Sequence, residues 1–167
     1  MREMTKKALN DAFTGESMAH MKYLIFSQMA EKEGYKNVAR LFKAIAFAEQ
    51  VQATNHATNL EMIKETKDNL YSAMEGEIFE VNEIYPSYDA IAKMQEEKGA
   101  QLAFYYALEA EKIHAELYQK ARQAVENGND MQINEIYICP ICGYTHVGIP
   151  PDRCPICGAS KEKYEKF

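Results

Sequence analysis

The first 138 residues of this 167-residue chain contain no cysteine, and the whole chain contains no tryptophan. A disulfide framework is therefore excluded for most of its length. Proline is nearly absent from the same stretch: residues 1–127 hold only Pro86, and the other four prolines (Pro140, Pro150, Pro151, Pro155) crowd into the last 30 residues. Only 8 glycines are present, so little interrupts long helices before the tail. There is no run of basic residues, and the net charge is −6, which argues against a nucleic-acid partner. No segment approaches the ~20 consecutive apolar residues of a membrane-spanning helix. The N-terminus Met1-Arg-Glu-Met-Thr-Lys-Lys lacks the apolar stretch of a signal peptide, so no membrane association and a cytoplasmic location are expected.

What is there is helical. An apolar fraction of 47% with an Ala, Glu, Lys, Leu and Met bias predicts four long segments. Helix A is expected from Thr5, as N-cap, to Glu33, with Gly34 as the stop. Its inner stripe is Leu9, Phe13, Glu16, His20, Tyr23, Ser27 and Ala30. Helix B is expected from Lys36 to Lys64, with Val38, Phe42, Ile45, Glu49, Gln52 and His56 on one face. Asn69 is the expected cap of helix C, whose stripe is Tyr71, Met74, Glu77, Ile78, Val81, Ile84 and Tyr85; Pro86 should kink or divide it. Helix D is expected from Gly99 to Glu126, with Leu108, Glu111, His114, Ala115 and Tyr118 inward. The fold class is thus an all-α four-helix bundle in residues 1–130, then a linker at 131–135. A small β-rich domain follows at 136–167, too short to fold without a staple.

The helices repeat. Gly15-Glu16 recurs as Gly76-Glu77, and Ala48-Glu49-x-x-Gln52-Ala53 recurs as Ala110-Glu111-x-x-His114-Ala115. Two hairpins with matching carboxylates predict a pseudo-twofold bundle with a site on its axis. A buried ionised carboxylate is costly unless it is paired or metal-bound. Di-iron carboxylate bundles use one Glu from each of two helices and Glu-x-x-His from each of the other two. Here Glu16 and Glu77 are the single glutamates, and Glu111-x-x-His114 is one motif. In the second motif Glu49 is followed by Gln52, and Glu80 adds a carboxylate one turn beyond Glu77. Oxygen-rich ligation with one imidazole suits iron or manganese better than zinc. Glu31, Glu33, Glu61, Glu65, Glu96 and Glu97 are expected to be solvated charges. His20 and His56 are expected to be hydrogen-bonded core residues, and His146 a surface residue.

The four cysteines form Cys139-Pro-Ile-Cys142-Gly and Cys154-Pro-Ile-Cys157-Gly, with 11 residues between Cys142 and Cys154. Such knuckles turn backbone amides toward the sulfurs and gather four thiolates around one ion. Spacing alone admits zinc as readily as iron. A redox-capable hard-ligand site in the same chain shifts the balance toward Fe(Cys)₄, because zinc cannot pass an electron.

Together these motifs resemble the rubrerythrin family, in which a ferritin-like di-iron domain precedes a rubredoxin-like domain. The resemblance spans essentially the whole chain. Its carriers are Phe13-Thr-Gly-Glu16, Ala48-Glu49-x-x-Gln52, Gly76-Glu77-x-x-Glu80, Ile84-Tyr85-Pro86, Ala110-Glu111-x-x-His114 and the two knuckles. It implies a peroxidase that reduces hydrogen peroxide to water and protects against oxidative stress. Glu49 and Glu111 would bridge the two irons, and Glu16, Glu77, Glu80 and His114 would be terminal ligands. Glu80, Tyr23 and Tyr85 would supply protons, and Cys139, Cys142, Cys154 and Cys157 would hold the electron-transfer iron. It further implies an external electron donor, such as rubredoxin or an NAD(P)H-dependent reductase, and a homodimer or higher oligomer, helix-swapped in some members. The alternative activity is ferritin-like oxidation and sequestration of iron without peroxidase turnover, with a structural zinc ribbon as tail. Gln52 departs from the family pattern, which has His there. An amide is a much weaker ligand, and restoring His at this position is expected to raise turnover if Gln52 impairs it.

Overall fold

The computed structural model describes all residues, Met1 to Phe167. It comprises a helical N-terminal part followed by a small strand-bearing part that carries the cysteines. The compact units, however, divide between Lys64 and Glu65.

The first unit is a hairpin of α1 (Glu3–Lys32) and α2 (Lys36–Asn59). The predicted inner stripe of helix A is the face that packs. Ser27 and Ala30 are buried, and Leu9, Phe13, Glu16, His20 and Tyr23 are half-buried. On α2 the seam is made of small residues, with Ala39, Ala46, Ala53 and Ala57 all buried. The expected stripe was offset there: Val38 and Ile45 are exposed, because alanines next to them let the two backbones approach closely. At that distance Ser27 Oγ donates to the Ala39 carbonyl (2.8 Å) and His20 Nδ1–H donates to the Ala46 carbonyl (2.7 Å). His20 is therefore the hydrogen-bonded core residue that the pattern predicted. Tyr23, Phe26 and Phe42 form an aromatic cluster. Ala46 is fully buried, so Ala46→Leu is expected to destabilise the protein by about 1–3 kcal/mol, as overpacking usually does, and thermal unfolding checks this. The helix ends differ from expectation at three places. α1 starts at Glu3 with Arg2 as cap rather than Thr5. α2 stops at Asn59 rather than Lys64, and Glu61 takes a left-handed conformation (φ +57°). α3 starts at Thr66, which places Asn69 inside the helix rather than at its cap.

The second unit contains α3 (Thr66–Phe79), a π-helical turn (Glu80–Ile84), α4 (Tyr85–Met94), α5 (Lys98–Glu126) and the strands. Pro86 does divide helix C, and the means is the π turn. The Tyr85 amide bonds back to the Glu80 carbonyl, one residue further than in an α-helix. The chain then restarts with Pro86 in the first turn of α4, where a missing N–H is tolerated. Tyr85, Tyr88 and Phe104 pack there with ring centroids 5.5–6.5 Å apart.

The tail forms a three-stranded antiparallel sheet in the order β2-β1-β3, with β1 Ile136–Ile138, β2 Thr145–Val147 and β3 Glu165–Lys166. Ile138 pairs with Thr145 and Glu165. Its core is small: Cys139, Cys142, Cys154 and Ala159, with Tyr106 of α5, Tyr144, Ile156 and Tyr164 packed around them.

Candidate metal centres

The two knuckles fold identically. The Gly143 amide bonds to the Cys139 carbonyl and the Gly158 amide to the Cys154 carbonyl, each at 2.9 Å. Both glycines sit at positive φ, +77° and +75°, a conformation that costs a side-chain-bearing residue about 1 kcal/mol or more. The two loops bring Cys139 Sγ within 3.5 Å of Cys157 Sγ, and Cys142 Sγ within 3.4 Å of Cys154 Sγ. All four thiols are free, and three are buried. Ligand atoms from all four lie within 4.8 Å of one another, the arrangement of a tetrahedral Cys₄ site. Burial resists ionisation of Cys142 and Cys157 and pushes both thiols up. At Cys154 burial also resists, but hydrogen bonds from the backbone amides of Cys157 and Ile156, and then from the Cys142 and Cys157 side chains, together bring the thiol down to about 7. Amides aimed at sulfur are what the knuckle motif predicted.

The second cluster is on helices. Glu77 of α3, with Glu111 and His114 of α5, places ligand atoms within 4.8 Å of one another. His114 Nδ1 is 2.6 Å from Glu111 Oε2 and 3.9 Å from Glu77 Oε1. Because residues three apart share a helix face, Glu111 and His114 present together to α3. Burial, followed by the hydrogen bond and charge of Glu111, raises Glu77 to about 7, and burial raises Glu111 as well. Two half-buried carboxylates without a cation hold a proton that a metal would displace. Both donor sets therefore fit iron, one with hard oxygens and an imidazole, the other with soft thiolates.

This electrostatic frustration has a measurable sign. Glu77 titrates near 4.5 when unfolded and near 7 when folded without metal. Its contribution to stability is therefore complete below about pH 4.5 and is lost as pH rises toward 7. The metal-free protein is expected to lose roughly 2 kcal/mol across that window, and Glu77→Gln to flatten the loss. Thermal melts at stepped pH check it.

The remaining candidates lie as follows. Glu80 opens the π turn, half-buried, and hydrogen-bonds Tyr85; burial first, then the charges of Glu80 and Glu111, push the Tyr85 phenol up to about 12. In the first unit Glu16 and Glu49 are half-buried and hydrogen-bonded to each other, and that bond is the main cause of a raised Glu49. Gln52 is exposed on α2, and His56 is half-buried there. Tyr23 belongs to the aromatic cluster of the α1–α2 hairpin. Glu31, Glu33, Glu61, Glu65, Glu96 and Glu97 are all exposed, as expected. His146 departs from expectation: it is half-buried, stacks on Tyr144 and shares a hydrogen bond of 3.1 Å with its hydroxyl.

Two residues at the centres escaped the sequence reading. Tyr106 packs on the cysteine cluster; its position two turns before His114 on one helix face was the available signal. Thr145 is buried and lies 2.8 Å from His114 Nε2, and no local pattern marks it.

Comparison with known proteins agrees with both centres. The family model described as Rubrerythrin matches residues 7–122, and that described as Rubrerythrin, rubredoxin-like domain matches residues 137–165. Rubrerythrin-2 of Clostridium acetobutylicum is 44% identical over 98% of this chain and 97% of its own length. Nigerythrin of Nitratidesulfovibrio vulgaris is 34% identical, over 98% and 86% respectively. A solved structure described as the fully reduced, all-ferrous state of nigerythrin aligns with a TM-score of 0.57 at 32% identity, covering 98% of this chain and 86% of that one. No helix of this chain is long and apolar enough to cross a membrane. With carboxylate and imidazole donors on its helices, four thiols in its tail and relatives matched from end to end, the chain belongs to the rubrerythrin family and carries that family's rubredoxin-like domain.

Proposed function

We propose that this protein is a non-haem di-iron peroxidase, an oxidoreductase that reduces hydrogen peroxide to water with electrons delivered through a Cys₄ iron. One observation carries the reading: a hard donor cluster (Glu77, Glu111, His114) and a soft one (Cys139, Cys142, Cys154, Cys157) occur in the same chain. The first suits a metal that meets oxygen species, and the second a metal that exchanges single electrons. In this reading residues 1–130 hold the iron pair, 131–135 link, and 136–167 feed electrons.

Glu16, Glu49, Glu77, Glu80, Glu111 and His114 are the proposed ligands of the pair. Iron held there supplies the two electrons that an O–O bond takes up as it breaks. The chain's own residues manage protons and charge. Tyr85 keeps its phenolic proton, with a pKa near 12, hydrogen-bonded to Glu80, so it can offer a proton without ionising at rest. Tyr23 is the corresponding tyrosine of the first unit. Each peroxide takes two electrons and two protons and leaves as two waters. The thiolates, shielded by Ile156, Tyr144 and Tyr164, serve a relay rather than a substrate site. A rubredoxin or an NAD(P)H-dependent reductase would refill it, in a homodimer located in a reducing cytoplasm.

The test is peroxide consumption by iron-loaded protein, under anaerobic conditions with a reductase and NAD(P)H. Sustained turnover with a red, thiolate-to-iron charge-transfer spectrum is expected. A colourless tail, or iron uptake and oxidation without peroxide-dependent NAD(P)H use, would point instead to iron sequestration.

A further inference from the structure

The aromatic shell of the cysteine cluster contains one buried hydroxyl without a hydrogen bond. Tyr144 and Tyr164 both pack against Cys139, Cys142 and Cys154, and their rings meet edge to face with centroids 6.2 Å apart. The Tyr144 hydroxyl is shared with His146 Nδ1 at 3.1 Å. The Tyr164 hydroxyl oxygen is buried and has no hydrogen-bond partner. A buried donor left unpaired costs free energy, and such groups are rare in native structures unless they serve a purpose.

The backbone seats this ring on both sides. The Tyr164 amide bonds to the Lys161 carbonyl at 3.0 Å, across the 3₁₀ turn Lys161–Lys163. β3 follows directly, and its Glu165 pairs with Ile138, the neighbour of Cys139. The sheet that carries the first knuckle therefore also fixes Tyr164. Among the four thiols, Cys154 is the one that bears most on the phenol. Burial raises the phenol first, then the Cys154 side chain and its charge, ahead of the charge of Cys139.

A neutral thiol is a weak acceptor, which leaves the hydroxyl orphaned. A thiolate is a strong one. The orphaned donor thus fits a Cys154 sulfur that is ionised and metal-bound. It also makes the two knuckles unequal. Cys154 already receives the amides of Cys157 and Ile156, and the phenol adds a third donor to that one sulfur.

We infer that the Tyr164 hydroxyl donates to the Cys154 thiolate of the loaded site and raises the reduction potential of the Cys₄ iron. One electron arrives from the external donor, a rubredoxin or a reductase, and adds one negative charge to the iron and its thiolates. The phenol keeps its proton in both states. A donor aimed at sulfur stabilises the more negative state more, and hydrogen bonds to sulfur are one determinant of such potentials. Tyr164 therefore favours entry of the electron into the tail. This tuning rests on the Cys₄ iron of the proposed reading, not on its peroxide chemistry.

The test is a spectroelectrochemical titration of the iron-loaded full chain at neutral pH, followed at the ferric thiolate charge-transfer absorption. Tyr164→Phe should lower the equilibrium constant for reduction about tenfold, a shift of about 59 mV to lower potential for one electron. Tyr137→Phe removes another hydroxyl of the same sheet, one bonded to Glu135, and should leave the potential unchanged. Placing 3-fluorotyrosine at position 164, a stronger donor of nearly the same size, should raise the potential. Opposite shifts from two residues of similar size cannot come from packing. An unchanged potential in Tyr164→Phe, or shifts of the same sign in both variants, overturns the inference. If the tail takes up no iron, the tuning and the electron-relay part of the proposed function fall together. If the potentials shift as expected but peroxide is not consumed, the peroxidase reading fails alone and the tuning stands.

Discussion

Cys142→Ser is expected to unfold the tail and abolish multiple turnover while leaving the helices intact. The core of residues 136–167 consists of Cys139, Cys142, Cys154 and Ala159, and among these Cys139 is the one large side chain fully withdrawn from water. Packing of that size cannot offset the conformational entropy of some 30 residues. The metal must supply the difference, and structural metal sites in such small modules contribute about 10–16 kcal/mol. A serine hydroxyl stays protonated near neutral pH and is a poor fourth ligand, so most of that stabilisation disappears. The expected observations are loss of one metal per chain, loss of visible absorption, and far-UV circular dichroism still dominated by α1 to α5. Peroxide reduction with a reductase should fall to background. Normal multiple turnover in this variant would sink the relay assignment.

Glu111→Gln is expected to move stability and function in opposite directions. In the metal-free protein Glu111 is half-buried beside Glu77, and both carboxyls are raised above their ordinary range, chiefly by burial. An amide of the same shape removes one charge from this pair and can still hydrogen-bond Glu77. The metal-free variant should gain about 1–3 kcal/mol near neutral pH, the usual scale for relieving a poorly solvated polar group. The same change removes a proposed bridging ligand, so iron uptake by the helices and peroxide reduction should both collapse. Metal analysis with thermal melts of metal-free protein measures both halves. A variant that kept its iron and its turnover would overturn the role given to Glu111; one without the stability gain would show that the metal-free pair relaxes its charge by another route. The trade is ordinary for sites that hold charge ready for a ligand.

The legible parts of this protein were those set by short-range periodicity. Glu111 and His114 share a face because they are three residues apart on a helix, and the knuckles close because Gly143 and Gly158 can adopt positive φ. The inner stripe of α1 was legible for the same reason. On α2 the hydrophobic pattern misled by about one position: large residues drew attention, but the seam belongs to Ala39, Ala46, Ala53 and Ala57, where closeness of backbones matters more than size. Asn69 looked like a cap, yet α3 begins three residues earlier. Pro86 announced an interruption but not its form, since a π turn and a kink answer equally to a missing N–H.

The amino-acid sequence by itself therefore determined the helical class, the two donor sets and their chemical character, because ligand type and i, i+3 or Cys-x-x-Cys spacing are local properties. The tertiary structure brings Glu77 of α3 to Glu111 and His114, as the repeat predicted, and only it decided that Tyr106 closes over the cysteines. It alone placed the Thr145 hydroxyl on a ring 31 residues away. Contacts across such separations depend on how α5 and the small sheet dock, and no local spacing encodes that docking.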